Sequence, residues 1–263
     1  MTIPTKRPIA FVLASTNHGS MLVNRYDYHA VNNSAYGVGF QLFLNSAFDP
    51  EEIDVAIKLL ETRKLNYGEG VVAIDCGANI GAHTIEWAKY MHDWGSVIAF
   101  EAQERVFYAL AGNITMNNCF NARAIWAAVG ASSGEIGVPI PDYFSAASFG
   151  SLEIRKTDST EFIGQAIDYE NLQKTRLMAI DELNLQRLDL IKIDIEGMEI
   201  EALQGAQETI IRNRPQLIIE KIKSEEGQLI AFLDNLDYKI FSFGINLLAV
   251  HTSDPAAEKI AQP

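Results

Sequence analysis

The stretch IKIDIEGMEIEAL, residues 191–203, sets Asp194, Glu196, Glu199 and Glu201 in a hydrophobic run around a single glycine. Carboxylates packed that closely cost energy unless they are separated, neutralised or used. Alternate residues of an extended segment share a face, so Lys192 and Asp194 point the same way, and an ion pair between them is the plain alternative to a chemical role. Asp194 ends the segment, Glu196 occupies the turn beside Gly197, and Glu199 and Glu201 open the next helix. Those two are expected to favour its positive end and to face solvent. Asp194 and Glu196 are thus the catalytic candidates. A carboxylate can take the proton of a hydroxyl nucleophile. Alternatively, Asp194 and Glu220, as hard oxygen ligands, hold Mg²⁺ and polarise that hydroxyl.

Other acids fall at comparable places. The apolar runs VVAID, SVIAFE, LDLIKID and QLIIE end in Asp75, Glu101, Asp194 and Glu220. The ligand crevice of an open parallel sheet lies outside the carboxyl ends of its strands, so these acids converge on one place. Helix capping explains one such acid more readily than four. The turn IDCGANIGAHT leads from a strand into a helix, with Gly77 and Gly81 flanking Asn79, a residue tolerant of a left-handed backbone. A nucleotide-binding turn sits in this context, although the spacing departs from GxGxxG. Glu101, one strand further on, is placed to accept from the hydroxyls of a ribose. His18, His29 and His83 are further candidate bases, and Cys76 reads as a small packing residue.

The elements that must position these residues follow from the apolar pattern. IAFVLAS and SMLVNRYDY around TNHG read as a β-hairpin, and GFQLFL as a further extended piece. DPEEIDVAIKLLETR reads as a helix with Asp49 as N-cap, Pro50 in its first turn and Glu52 completing a capping box. These make an N-terminal β/α extension over residues 1–66. Over 67–263, continuous apolar strands alternate with helical patterns such as IEWAKYM and the stretch 198–211. The fold class is α/β, a doubly wound, mostly parallel sheet covered on both faces. A loop and hairpin insertion interrupts it at about 130–180, YKIFSFG and NLLAVH close as an antiparallel hairpin, and the end, SDPAAEKIAQP, reads as frayed.

Composition narrows the function. The 263 residues carry a net charge of -13, and 48% are hydrophobic, ample for a large core. Without a basic cluster, that charge works against binding to nucleic acid or to an anionic membrane surface. No apolar run has the length of a membrane span, and the N-terminal stretch is too short for a signal peptide. Two distant cysteines, Cys76 and Cys119, suit a reducing compartment, so a cytoplasmic location is expected.

DCGANIG, AFEAQERVFYALAGNITMNN, IKIDIEGMEIEALQGA and RPQLIIE, in that order, resemble the FkbM-type methyltransferases, a class I S-adenosylmethionine-dependent family. The likeness covers roughly residues 71–220, and the terminal hairpin is similar to the antiparallel closure of the class I methyltransferase sheet. The resemblance implies Asp75, Gly77, Asn79 and Gly81 around the methionine part of the cofactor, and Glu101 on its ribose. It also implies methylation of a hydroxyl on a sugar or small natural product. The expected partner is therefore a small hydroxylated substrate, with homo-oligomer formation left open. Two rivals are a nicotinamide-dependent oxidoreductase, which the turn spacing and terminal hairpin disfavour, and a non-catalytic binding module of the same fold.

Overall fold

In the computed structural model, which describes residues 8–32 and 34–259, five parallel strands make up one side of a seven-stranded sheet. Ahead of it come a hairpin of β1 (Phe11–Thr16) and β2 (Gly19–Asn24), a smaller pair of β3 (His29–Val31) and β4 (Ser34–Tyr36), and helices α1 (Val38–Asn45) and α2 (Pro50–Tyr67). The main sheet starts with β5 (Val71–Cys76), α3 (Ala82–Tyr90), β6 (Gly95–Glu101), α4 (Glu104–Met116) and β7 (Ala122–Trp126). After β8 (Ala128–Val129), β9 (Gly134–Pro139) and β10 (Leu172–Met178), it resumes with β11 (Leu190–Ile193), α5 (Glu199–Gln204), α6 (Gln207–Asn213) and β12 (Gln216–Glu220). Helix α7 (Glu226–Asp234) and the hairpin β13 (Tyr238–Phe243) and β14 (Asn246–His251) complete it, followed by α8 (Ala256–Lys259).

The strand order is β13-β14-β12-β11-β5-β6-β7, with β14 antiparallel to both neighbours. The doubly wound class and the antiparallel closure expected from the sequence are both present. Every residue of β11 and β12 is buried, as strands covered on both faces must be. The chain runs from β5 outward to β7 and then returns to β11 on the other side of β5. This reversal opens a crevice between the carboxyl ends of β5 and β11. The turn after β5 and the acids after β11 are therefore neighbours by topology.

Three local readings need correction. The piece GFQLFL, residues 39–44, read as extended, is helical within α1: Val38, Gly39 and Leu42 lie buried on one face at helical spacing, while Phe43 and Leu44 are exposed on the other. Pro50 does begin α2, but Asp49 adopts a left-handed φ of 37° and makes no side-chain cap; its carboxylate accepts from Gln41 Nε2 at 2.9 Å. The end of the chain is ordered as far as α8, where Ala256 and Ala257 are buried, and residues 260–263 lie outside the described set. The stretch 198–211 is helical as read, in two pieces divided near Gly205.

The insertion supplies a separate sheet, ordered β8-β10-β9, and a long arm over residues 140–171. Two buried side chains pull that arm toward the crevice. Gln103 Nε2 donates to the Phe149 carbonyl at 2.8 Å, while the Asp27 carboxylate accepts from Phe149 N and Gly39 N, both at 3.0 Å. Burial pushes Asp27 up to about 6 although both bonds favour its charged form. None of the described helices is long and apolar enough to cross a membrane.

Candidate active site

The turn after β5 is shaped by close backbone packing. Gly77 has φ 80°, and a Cβ there would lie 1.8 Å from the Asp194 carbonyl oxygen, so only glycine fits. The Asp194 N–H donates to the Cys76 carbonyl at 3.1 Å and keeps the two segments in contact. Asn79 takes the left-handed backbone its type allows, with φ 50°. Its N–H donates to Glu101 Oε2 at 3.0 Å, and the Gln103 N–H donates to Oε1 at 2.8 Å. Glu101 is thereby held by both oxygens at the end of β6. Burial raises its carboxyl to about 7 against these stabilising bonds.

Gly77, Asn79 and Glu101 line a cleft of about 490 Å³ at the carboxyl end of the sheet. Asp75 and Gly81, placed beside them by the sequence reading, stand behind the wall instead. Asp75 is 1% exposed and accepts from Thr84 Oγ1 at 2.6 Å, fixing the start of α3. Gly81 caps that helix with φ 93°. The buried Cys76 thiol is pushed up by burial and by the neighbouring Asp75 charge, which makes it a packing residue.

Across the cleft, Asp194, Glu196 and Glu220 each bring an oxygen within 4.8 Å of the others. Lys192 Nζ lies 2.7 Å from Asp194 Oδ2, the ion pair that their shared face allows. Lys223 Nζ lies 2.6 Å from Glu196 Oε2. Glu196 reaches this position through a left-handed φ of 58°, followed by Gly197 at 97°. Burial, then the charge of Asp194, pushes Glu196 up; burial, then Asp194 and Glu196, pushes Glu220 up. Glu199, expected in solvent, is fully buried. It accepts from the N–H groups of Ile195 and Gly197 at 3.1 Å and from the Ser224 hydroxyl, so it braces the corner on which Glu196 sits. Glu201 is partly exposed and pairs with Arg155.

Two residues have roles that the sequence reading does not give them, Lys223 in the cleft lining and Glu52 behind it. Glu52, read as a cap, reaches inward: Oε1 lies 3.3 Å from His83 Nε2 and 3.9 Å from Lys192 Nζ, and Asn246 donates to Oε2 at 2.7 Å. Burial works to raise its carboxyl, but these partners outweigh it and hold it at about 2. Lys223 donates to the Ser151 carbonyl at 3.0 Å and pairs with Glu161 at 3.1 Å, joining the insertion to Glu196. Of the three histidines only His83 lines the cleft. His18 accepts from the Phe48 N–H elsewhere, and His29 is bonded to the hydroxyl of the cleft residue Tyr36 at 2.8 Å.

A family model described as the methyltransferase FkbM domain matches residues 75–240, more than half of the chain. Methyltransferase sdnD of Sordaria araneosa is 22% identical over 227 residues, covering 76% of this chain and 82% of that protein. Methyltransferase 1 of Beauveria bassiana is 24% identical over 143 residues, covering 50% of this chain and 57% of that one. Among solved structures, a methyltransferase FkbM from Methylobacillus flagellatus KT aligns with a TM-score of 0.47 at 18% identity, over 70% of this chain. The present chain spans 43% of that protein's length.

Proposed function

The chain belongs to the FkbM methyltransferase domain family, and on that premise we propose that it transfers the methyl group of S-adenosylmethionine to a hydroxyl of a sugar or small natural product. It is a methyltransferase, so a hydride-transferring or purely binding role is not favoured. In this reading Gly77 and Asn79 face the methionine part of the cofactor and Glu101 the ribose, with Asp75 and Gly81 holding the turn in shape. The reaction is a direct displacement at a sulfonium methyl, in which the acceptor oxygen must approach in line and lose a proton. Asp194, whose side chain is 33% exposed, orients that hydroxyl, and Glu196 beside it is the second group able to take the proton. Mg²⁺ between Asp194 and Glu220 would polarise the same oxygen.

The observation that supports this most is the contact between Gly77 and Asp194. The turn assigned to the cofactor packs against the backbone of the residue assigned to the acceptor. Screening hydroxylated metabolites with a labelled methyl donor tests the reading. Asp194→Asn, which keeps size and removes charge, should lower turnover by about 10²-fold or more while binding of S-adenosylhomocysteine is retained. An Asp194→Asn enzyme with full turnover would remove Asp194 from the chemistry.

A further inference from the structure

We propose that Asp194, Glu196 and Glu220 together form a binding site for one hard divalent cation of the Mg²⁺ type. The role of the ion rests on the methyltransferase reading; its binding does not. Glu196 is the ligand that makes the site, because it joins two strand-end acids into a set of three converging oxygens.

The lysines leave room for such an ion. Lys192 engages Oδ2 of Asp194 and Lys223 engages Oε2 of Glu196, so two ammonium groups face three carboxylates. The other oxygen of each, Oδ1 and Oε1, has no hydrogen-bond donor among the described residues. Glu220 is the acid with no cation of its own: it is 8% exposed, and its Oε2 has no hydrogen-bond partner among the described residues. A buried carboxylate oxygen facing two further carboxylates is costly unless a proton or a cation occupies the space between them.

The corner is also rigid. Glu196 keeps an uncommon left-handed backbone, and Glu199 fixes the adjoining Ile195 and Gly197 N–H groups. The donors are all carboxylate oxygens, without sulfur or imidazole, which selects Mg²⁺, Mn²⁺ or Ca²⁺ over Zn²⁺. With three protein ligands, the remaining positions of an octahedral ion stay open to water and to an acceptor hydroxyl.

The test is titration of the full-length chain with Mn²⁺, read by the loss of free-ion paramagnetic resonance signal, in the presence and absence of S-adenosylhomocysteine. One Mn²⁺ per chain should bind and be displaced by Mg²⁺. Glu220→Gln and, independently, Glu196→Gln should each weaken binding at least about 10-fold, whereas Glu201→Gln should not change it. Melting curves of each variant establish that it is folded, and Asp194→Asn serves if one is not. Absence of Mn²⁺ binding at millimolar concentration, or binding indifferent to all three substitutions, overturns the site. Failure of S-adenosylhomocysteine to bind would instead count against the methyltransferase reading and leave the ion titration standing.

Discussion

Replacing Gly77 by alanine would drive a methyl group into the backbone that carries Asp194. The new Cβ would lie 1.8 Å from the Asp194 carbonyl oxygen and 2.9 Å from its carbon. Relief requires a shift of roughly 1.5 Å or more, because carbon and oxygen atoms settle near 3.5 Å. Neither side yields easily. Cys76 pairs with Ile193 in the sheet, and the Asp194 N–H is bonded to the Cys76 carbonyl, so the two segments cannot part without loss of ladder bonds. Overpacking of this kind costs about 1 to 3 kcal/mol, and a φ of 80° adds about 1 to 2 for a residue with a Cβ. At roughly 2 to 4 °C per kcal/mol for a domain of this size, the melting temperature should fall by about 4 to 20 °C.

The functional consequence is larger than the loss of stability. A displacement of about 1 Å between cofactor and acceptor is enough to cost about 10²-fold in turnover. Gly81→Ala is the internal comparison: its φ of 93° imposes similar backbone strain, but its Cβ would meet only the side-chain end of Leu110, at 2.6 Å. Leu110 can rotate, so Gly81→Ala should lose stability and retain more of its turnover. Thermal melting, calorimetry with S-adenosylhomocysteine and methyl transfer on the two variants decide the matter. A Gly77→Ala protein that matches the parent in all three, or a Gly81→Ala protein that is the more impaired catalyst, would refute the proposed contact of cofactor turn and acid corner.

Three further outcomes follow from the charges. Burial raises Glu101 from 4.5 to about 7, so the folded chain keeps a proton there that the unfolded chain has released. Its stabilising contribution, on the order of 3 kcal/mol, is present below pH 4.5 and lost as pH rises through 7. Glu101→Gln should therefore flatten the fall in melting temperature across that window, and cofactor-product affinity in the parent should rise over the same window as the carboxylate ionises. Glu201→Gln removes only a helix-terminus charge and a half-exposed ion pair; a loss on the order of 0.3 to 1 kcal/mol with unchanged turnover is expected, and a large loss of turnover would reverse the assignment. Lys223→Met should free the arm 140–171 from the acid corner, visible as faster proteolysis there and a raised KM for the acceptor; unchanged proteolysis would show that Phe149 and its partners hold the arm alone.

What could be read from sequence was the part governed by the sheet. Buried parallel strands must be continuous apolar runs, so an acid ending such a run marks its carboxyl end, and Glu101, Asp194 and Glu220 all reach the cleft. Asp75 meets the same rule yet turns toward Thr84, because direction at a strand end depends on the pleat and on the following turn. Glu52 was misread for a different reason. A Pro and an acid after Asp49 satisfy the pattern of a capped helix, and sequence carries nothing that shows Lys192 and His83 arriving from β11 and α3. Lys223 lies three residues beyond the Glu220 end of β12 in a segment with no periodic signal, and its partners in the arm come from an insertion whose path is set by Asp27 and Gln103.

The crowding of carboxylates in residues 194–201 is tolerated because each has a separate means of compensation. Glu199 is solvated by backbone N–H groups, a role that requires it to be buried. Asp194 and Glu196 each face a different lysine, and Glu201 faces Arg155 at the surface. These arrangements are mutually dependent: Glu199 fixes the corner, the corner turns Glu196 toward Lys223, and Lys223 holds the insertion that roofs the cleft. Glu220, by contrast, pairs with no lysine or arginine, and its buried Oε2 has no hydrogen-bond partner among the described residues. That unpartnered oxygen lies across from Asp194, whose backbone packs on Gly77. A sequence selected only for a stable core would have had no reason to leave a deficit there, since an apolar residue at the end of β12 would cost less to bury.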